Sequence, residues 1–237
     1  MSSAVQRGLY GKLPMKRDFI AVSVPDALLE LWEPWLQAGL AASRLALGGR
    51  WQEIFLKAPI WRFWLGPELC GRTSIGSFTP SVDAIGRLFP LTVFVCAEPG
   101  TVFPAPRLEL QADWFAAAEA MLLYALDESA DYDSVLERLQ ALPPPVMPEP
   151  PPDARDIRDL GPAHAVRVGE AAQFDSAFVA LATERQRTVE QASCFFWTIG
   201  GEDFPPVAVQ SAGLPDPTML TALLNGDQWL TFEDLPA

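Results

Sequence analysis

Proline dominates positions 143–152, where seven of the ten residues are proline. Proline has no amide hydrogen to donate and its ring holds φ in the polyproline II range, so this segment can join neither a helix nor a sheet. We interpret it as a stiff, exposed connector in preference to a ligand for a proline-recognising domain. Because few core-forming elements follow it, the sequence predicts a single α/β domain over residues 1–237, with the connector or insertion at 143–152 inside it.

Apolar residues that recur at three- and four-residue steps predict amphipathic helices in several parts of the chain. The longest such pattern begins after Pro25 and ends at the glycines of 48–49, and Pro34 within it is expected to kink or split the helix. Trp32 and Trp35 lie on the apolar stripe of this helix, where core packing is the more frequent role. Further helices are predicted at 114–126, at 134–142, around 174–181 and at 219–224.

Short runs of aromatic and β-branched residues, bounded by glycine or proline, predict strands. Residues 91–95 are almost continuously apolar, which is typical of a central strand covered on both faces. Helices on either side of such strands indicate a three-layer α-β-α sandwich, and we expect its central sheet to be mixed, with parallel and antiparallel pairs. The predicted strands cover residues 5–10, 60–65, 75–79, 89–97, 194–199 and 206–210.

Charge and composition argue against several classes of function. The formal net charge of −13 repels phosphate backbones and anionic lipid surfaces, so nucleic acid is not an expected partner. No stretch approaches the roughly 18 apolar residues that cross a bilayer, so direct membrane insertion is not expected. The first ten residues do not resemble a secretory signal, which favours the cytoplasm. Cys70, Cys96 and Cys194 form no CxxC-type pair, so we expect small buried thiols, with no metal site and no other cofactor.

A hydroxyl, a carboxylate and a guanidinium lie close together in the segment that contains Ser81, Asp83 and Arg87. In an architectural role, Ser81 caps a turn by accepting an amide, the glycine at 86 closes the turn and Asp83 pairs with an arginine. The alternative is a small-molecule-binding or hydrolytic protein with a pocket formed by the three side chains. A nucleophilic serine needs a base, and the one histidine, His164, lies far along the chain. We therefore expect architecture and no enzymatic activity.

Arg62 is flanked by two aromatic residues in a predicted strand, so its charge needs a buried acceptor. We expect Asp83 or Asp18 to supply it, in one structural network with Arg87. Lys12 follows a glycine, but the chain lacks the GxxxxGK[ST] spacing that wraps backbone amides around a phosphate. We expect Lys12 to be a solvated loop lysine or a further member of the network.

Four sequence blocks carry a resemblance to a known family. The first three are dense and reach residue 91, and the fourth extends the resemblance thinly towards the end of the chain. They are GLYGKLP at 8–14 with DF at 18–19, APIWRF at 58–63, PSVDAIGRLFPL at 80–91, and CFFWT at 194–198 with GLP at 213–215. Each block alone is a weak signal, whereas the ordered set is specific. Together they resemble the TagF/ImpM family of type VI secretion-associated proteins.

The resemblance implies an α/β three-layer sandwich and an accessory role in a bacterial type VI secretion system. It also implies a cytoplasmic, post-translational repressor or modulator that binds protein partners of the apparatus, among them a forkhead-associated scaffold. Affinity in such complexes comes from a few aromatic and arginine side chains. We expect the binding surface to contain Lys12, Leu13, Pro14, Asp18 and the neighbouring loops, with a contribution from Trp32 or Trp35.

Overall fold

A computed structural model describes residues 5–147, 157–159, 164–166 and 174–226. This part of the chain contains seven α-helices and nine β-strands. The helices are α1 (Asp26–Leu47), α2 (Trp51–Lys57), α3 (Pro67–Cys70), α4 (Ala112–Ala125), α5 (Tyr132–Ala141), α6 (Phe174–Gln191) and α7 (Met219–Leu224). The strands are β1 (Gln6–Gly11), β2 (Ile20–Val22), β3 (Trp61–Leu65), β4 (Ser74–Thr79), β5 (Leu91–Cys96), β6 (Ile157–Asp159), β7 (His164–Val166), β8 (Ser193–Thr198) and β9 (Val207–Ala212).

Seven strands form one sheet in the order β2-β1-β5-β4-β3-β8-β9, and every neighbouring pair is antiparallel. The expectation of a mixed sheet is therefore wrong for the described strands. Parallel neighbours need a crossover connection between them. Here the long helical connections join strands that are not neighbours: α1 and α2 lie between β2 and β3, and α4, α5 and α6 lie between β5 and β8. The four-residue helix α3 joins β3 to its antiparallel neighbour β4. Strands β6 and β7 pair only with each other among the described elements.

Side chains of the sheet alternate between two separate apolar clusters, one on each face. In β5, Leu91, Val93 and Val95 lie in one cluster, whereas Phe94 and Cys96 lie in the other. All of β5 is buried, which confirms the prediction of a central strand covered on both faces. The cluster that contains Phe94 also holds buried residues of α1, α2 and α7, and the cluster that contains Val93 holds buried residues of α4 and α5.

Helix α1 supplies much of the first cluster. Pro34 lies inside it, yet the helix continues without interruption, so the expected split does not occur. The indole N–H of Trp32 donates to Thr92 Oγ1 (3.1 Å), and that of Trp35 donates to the carbonyl of Pro215 (2.8 Å). Both tryptophans are therefore core residues whose polar atoms are satisfied.

Most of the elements predicted from the sequence are present, with ends shifted by a residue or two. Helix α6 continues well beyond the predicted 174–181, while α2, α3 and β2 were not predicted. The proline-rich segment has no regular structure over 143–147, and its remainder, 148–152, lies outside the described residues. No helix in the described ranges is both long enough and apolar enough to span a bilayer.

Candidate functional site

Two loops meet at one end of the sheet because β1 and β5 are antiparallel neighbours. The end of β1 lies opposite the start of β5, with Tyr10 paired to Thr92, so the loop after β1 lies beside the loop that joins β4 to β5. Gly11 permits the close approach, because a Cβ atom there would be 2.0 Å from the carbonyl oxygen of Pro90. The charged corner, as we name it, is formed by four residues of these loops: Lys12, Ser81, Asp83 and Arg87.

Residues 83–87 form a tight turn. The amide of Gly86 donates to the carbonyl of Asp83 (2.9 Å), and the amide of Asp83 donates to the carbonyl of Arg87 (3.0 Å). Gly86 has φ +84°, a conformation that is strained for residues with a Cβ atom. The turn folds the carboxylate of Asp83 over its own backbone, so that Oδ1 accepts from the amides of Ile85 (3.1 Å) and Arg87 (2.8 Å).

The carboxylate of Asp83 is the centre of the charged corner. Its side chain is buried, and Oδ2 accepts from Lys12 Nζ (2.8 Å) and Arg87 Nε (2.6 Å). Burial raises the pKa of this carboxyl, but the hydrogen bonds from Lys12, Arg87 and two backbone amides outweigh burial and hold the pKa below its ordinary value. Asp83 is therefore ionised, with hydrogen bonds at both oxygens.

Lys12 and Ser81 connect the corner to the loop after β1. Lys12 is only 4% exposed, so it is a member of the network and not a solvated lysine. Its ammonium group also lies 4.9 Å from the ring centroid of Phe19. The buried hydroxyl of Ser81 donates to the backbone carbonyl of Lys12 (2.7 Å). Ser81 thus ties the two loops together, and the expected role in capping a turn is wrong.

Arg87 extends from the corner to the surface. Its side chain is 52% exposed, and Nη2 donates to the backbone carbonyl of Arg17 while Nε contacts Asp83. Nearby, the amide of Ala84 donates to the carbonyl of Lys16 (2.9 Å). These contacts hold the loop after β1 against the loop between β4 and β5 at several points.

Arg62 does not belong to the charged corner. It pairs with Glu119 of α4, through Nε to Oε1 (2.5 Å) and Nη2 to Oε2 (3.1 Å). Trp61 and Phe63 lie in the cluster of α1, so the alternation of side chains along β3 directs Arg62 to the opposite face, where α4 packs. The expectation that an aspartate of the corner loops accepts from Arg62 is therefore wrong.

The residues expected to contact partners are mostly buried. Leu13, Trp32 and Trp35 are core residues, and Lys12 is paired within the charged corner. Within this set, Pro14 is partly exposed and Asp18 is exposed. The predicted partner surface is therefore wrong for Leu13, Trp32 and Trp35, because a partner could not contact these core side chains without displacing the core.

Exposed apolar side chains beside the corner were missed by sequence reasoning. Phe19 is 48% exposed and Ile85 is 56% exposed. Phe19 packs edge-on against Phe89, with ring centroids 4.8 Å apart. The DF pair of the first block was a visible signal, but sequence alone does not show that this ring remains at the surface.

Asp18 does not belong to the charged corner. Its side chain is exposed and forms no ion pair within the described ranges, so its predicted place in the network is wrong.

The alternative of a pocket shared by Ser81, Asp83 and Arg87 does not match the described arrangement. Ser81 and Asp83 are buried and hydrogen-bonded, whereas Arg87 alone of the three borders an open cleft of about 600 Å³. His164 belongs to β7, in the small sheet that β7 forms with β6. The three side chains therefore do not converge on a common cavity.

The three cysteines are buried free thiols, as expected. Burial raises the pKa of Cys96 and Cys194 to about 12, so neither is a reactive thiolate near neutral pH. Within the described part of the chain, no group of three or more His, Cys, Asp or Glu side chains is placed to hold a metal ion.

Comparison with known proteins locates this corner within a family domain. The model of the TagF N-terminal domain, described as type VI secretion system-associated, matches residues 8–142, a range that contains the whole charged corner. The chain is also similar to PA0076 from Pseudomonas aeruginosa PAO1, a protein with a crystal structure: the two are 28% identical over 98% of this chain and 97% of that one, with a TM-score of 0.77. A search of curated protein sequences found no significant match. Since the family model covers more than half of the chain, the protein belongs to the TagF family of type VI secretion system-associated proteins.

Proposed function

We propose that this TagF protein is a post-translational repressor or modulator of the type VI secretion apparatus, acting in the cytoplasm by binding protein partners and not by catalysis. The observation that carries the proposal is that the buried polar side chains of the charged corner are already hydrogen-bonded within the protein. Asp83 is buried and hydrogen-bonded at both oxygens, and Ser81 donates its hydroxyl to a backbone carbonyl. A reaction centre needs polar groups that reach a substrate, so this arrangement is better suited to holding two loops in place.

The surface around the corner supports the binding role. Phe19, Ile85 and Arg87 are exposed there and form what we name the corner rim. Aromatic and arginine side chains dominate the binding energy of many protein interfaces, and loops that are already held in place lose little entropy on binding. The resemblance of the four sequence blocks to TagF/ImpM proteins supports a forkhead-associated scaffold as the partner.

The packing also supports a single domain with a three-layer arrangement. Helices α1, α2 and α7 share one apolar cluster with the sheet, and α4 and α5 share the other. Strand β8, which follows the proline-rich segment, pairs with β3, which precedes it, and the amide of Gly66 donates to the carbonyl of Ser193 (2.9 Å). Segments on both sides of the proline-rich segment thus contribute to one sheet, as expected for a connector or insertion within a domain.

Raising the level of this protein in a bacterium with an active type VI system is the direct test. We expect less export of the effector tube, and we expect a forkhead-associated scaffold to co-purify with the tagged protein. Phe19→Ser removes a half-exposed ring of the corner rim and should weaken both effects, because partner contact is lost. The ring also packs on Phe89, so a melting curve should first show that the variant is folded. Arg185→Ala, at an exposed position of α6, should behave as the wild type. Unchanged export with no scaffold recovered would contradict the proposal.

A further inference from the structure

The open cleft of about 600 Å³ beside the charged corner lies between α1 and the segment 86–89. Within the described chain its lining contains three cationic side chains and no Asp or Glu, although the protein as a whole carries a formal net charge of −13. The charge of the cleft is therefore opposite to that of the protein as a whole. The charged and aromatic side chains of this lining are Lys12, Arg44, Arg87, Phe19, Trp51 and Phe89.

The cations of the cleft outnumber the carboxylates that neutralise them. Asp83 pairs with both Lys12 and Arg87, so one carboxylate serves two cations. Arg44 stacks over Trp51, with its guanidinium carbon 4.4 Å from the ring centroid, and it forms no ion pair with any described residue. The cleft therefore keeps an excess of two positive charges, one at each side.

An apolar wall stands next to these cations. The exposed ring of Phe19 is held against Phe89, while Leu40 of α1 and Trp51 of α2 are buried. Gln37, at the margin, donates to Glu33 (2.8 Å), a carboxylate that does not itself line the cleft. An exposed phenyl ring and a guanidinium without an ion pair in the lining of one cleft fit a ligand that carries both a carboxylate and an apolar side chain. An inorganic anion would use the cations alone.

We propose that this cleft binds an acidic segment of a partner protein. Carboxylates of the segment pair with the guanidinium groups of Arg44 and Arg87, which present fork-shaped donors, and an apolar side chain of the segment packs on Phe19. The complementary charge would also speed association at low salt. This inference rests on the proposed function, since it names the kind of protein surface that a binding regulator would recognise.

A fluorescein-labelled peptide of alternating Glu and Leu tests the cleft by fluorescence anisotropy. We expect saturable binding by the full-length protein, which weakens as NaCl is raised from about 50 to about 500 mM. Arg44→Gln should weaken binding by roughly tenfold or more, the usual loss for a charge-assisted pair. Arg44 is exposed and contacts only the Trp51 ring among the interactions described, so the variant should remain folded.

Arg138→Gln is the matched control. Arg138 is also an exposed helical arginine over an aromatic ring, 3.9 Å from the centroid of Tyr124, but it lies on α5, whose buried residues pack on the other face of the sheet. It removes the same charge and should leave peptide binding unchanged. Equal weakening by the Arg44 and Arg138 substitutions, or equal affinity for a peptide of alternating Gln and Leu, would overturn the proposal.

Two further measurements distinguish binding of an acidic segment from binding of a simple anion, and the cleft from the repressor role. If inorganic phosphate displaced the peptide completely and a peptide of alternating Glu and Gly bound as tightly, the cleft would be a simple anion site and the proposal would fail. If the peptide bound as expected while raised protein levels left export unchanged, the cleft would stand and only the repressor role would fall.

Discussion

Asp83 is the residue on which the charged corner depends. Its carboxylate neutralises Lys12, which is buried beside it, and Arg87, which is about half exposed. Removing one member of a buried pair costs about 3–5 kcal/mol because a charge is left unpaired, whereas exposed pairs contribute about 0–1 kcal/mol. The Lys12 side of the corner therefore matters more to stability than the Arg87 side.

Asp83→Ala is expected to lower the free energy of unfolding by about 3–5 kcal/mol, since Lys12 would remain buried without its carboxylate. Arg87→Ala removes the more exposed partner and is expected to cost only about 1 kcal/mol. Urea unfolding followed by tryptophan fluorescence measures both variants. Equal losses, or an unchanged midpoint for Asp83→Ala, would contradict the architectural role of the corner.

The lowered pKa of Asp83 makes stability depend on pH. A carboxylate with a lowered pKa contributes stability that is present above the pKa of the unfolded chain, about 4 for Asp, and is lost as the pH falls through the pKa of the folded state. We expect the free energy of unfolding to fall more steeply below about pH 4 in the wild type than in Asp83→Asn, which has no carboxylate to protonate. Urea titrations at several pH values provide the comparison, and parallel slopes for the two proteins would rule out this contribution.

Residue pairings were predictable from sequence only where the partners are close along the chain. Asp83 and Arg87 lie in one tight turn, so their contact could be expected. The partner of Arg62 is Glu119, on a helix that packs against the sheet, and no local pattern indicates it. The alternation along β3 could have shown that Arg62 faces away from its aromatic neighbours, but not which helix covers that face.

Helices α1 and α7 approach each other closely at Gly39. A Cβ atom there would lie 2.7 Å from Leu220 Cβ and 2.8 Å from the carbonyl oxygen of Pro217. Real Cβ atoms essentially never come this close. The glycine therefore allows α7 to pack its buried leucines into the same cluster as the tryptophans of α1.

Gly39→Ala is expected to destabilise the protein even though alanine is the better helix former. Alanine gains about 1 kcal/mol over glycine in a helix interior, whereas overpacking a filled core typically costs about 1–3 kcal/mol. One of the two clashing atoms is a backbone oxygen that cannot rotate aside. We therefore expect the cost of the clash to outweigh the gain in helix propensity, and Tm to fall by several degrees. Gly49→Ala is the control, because a Cβ atom there meets nothing within 4 Å. Thermal unfolding measured by circular dichroism compares them, and a higher Tm for Gly39→Ala would show that α7 moves aside without cost.

Helices and strands were predictable from the sequence where the segment is long enough to show a hydrophobic period or a continuous apolar run. The apolar stripe of α1 and the continuous apolar run of β5 each span enough residues to be recognised. Strand β2 and helix α3 have three and four residues, too few to show a period. The antiparallel order of the sheet was not predictable either, because it depends on which strands the long helical connections join.

The molecule as a whole is acidic, and yet one of its clefts is basic. The net charge of −13 is a sum over the chain, while Lys12, Arg44 and Arg87 are separated in sequence and come together only in the fold. Composition could therefore not reveal the cleft. Salt screens charges beyond about 10 Å at ordinary ionic strength, so a short acidic segment in the cleft would experience mainly these nearby cations.

The cleft takes its walls from three separate stretches of the chain, at 12–19, 37–51 and 86–89. None of them encloses the space alone, and the first meets the third only when β1 has paired with β5. A chain that lacks any one of these stretches, or in which β1 has not paired with β5, would not form the cleft. Any binding by the cleft would then require a completely folded chain, because the three stretches are far apart in sequence.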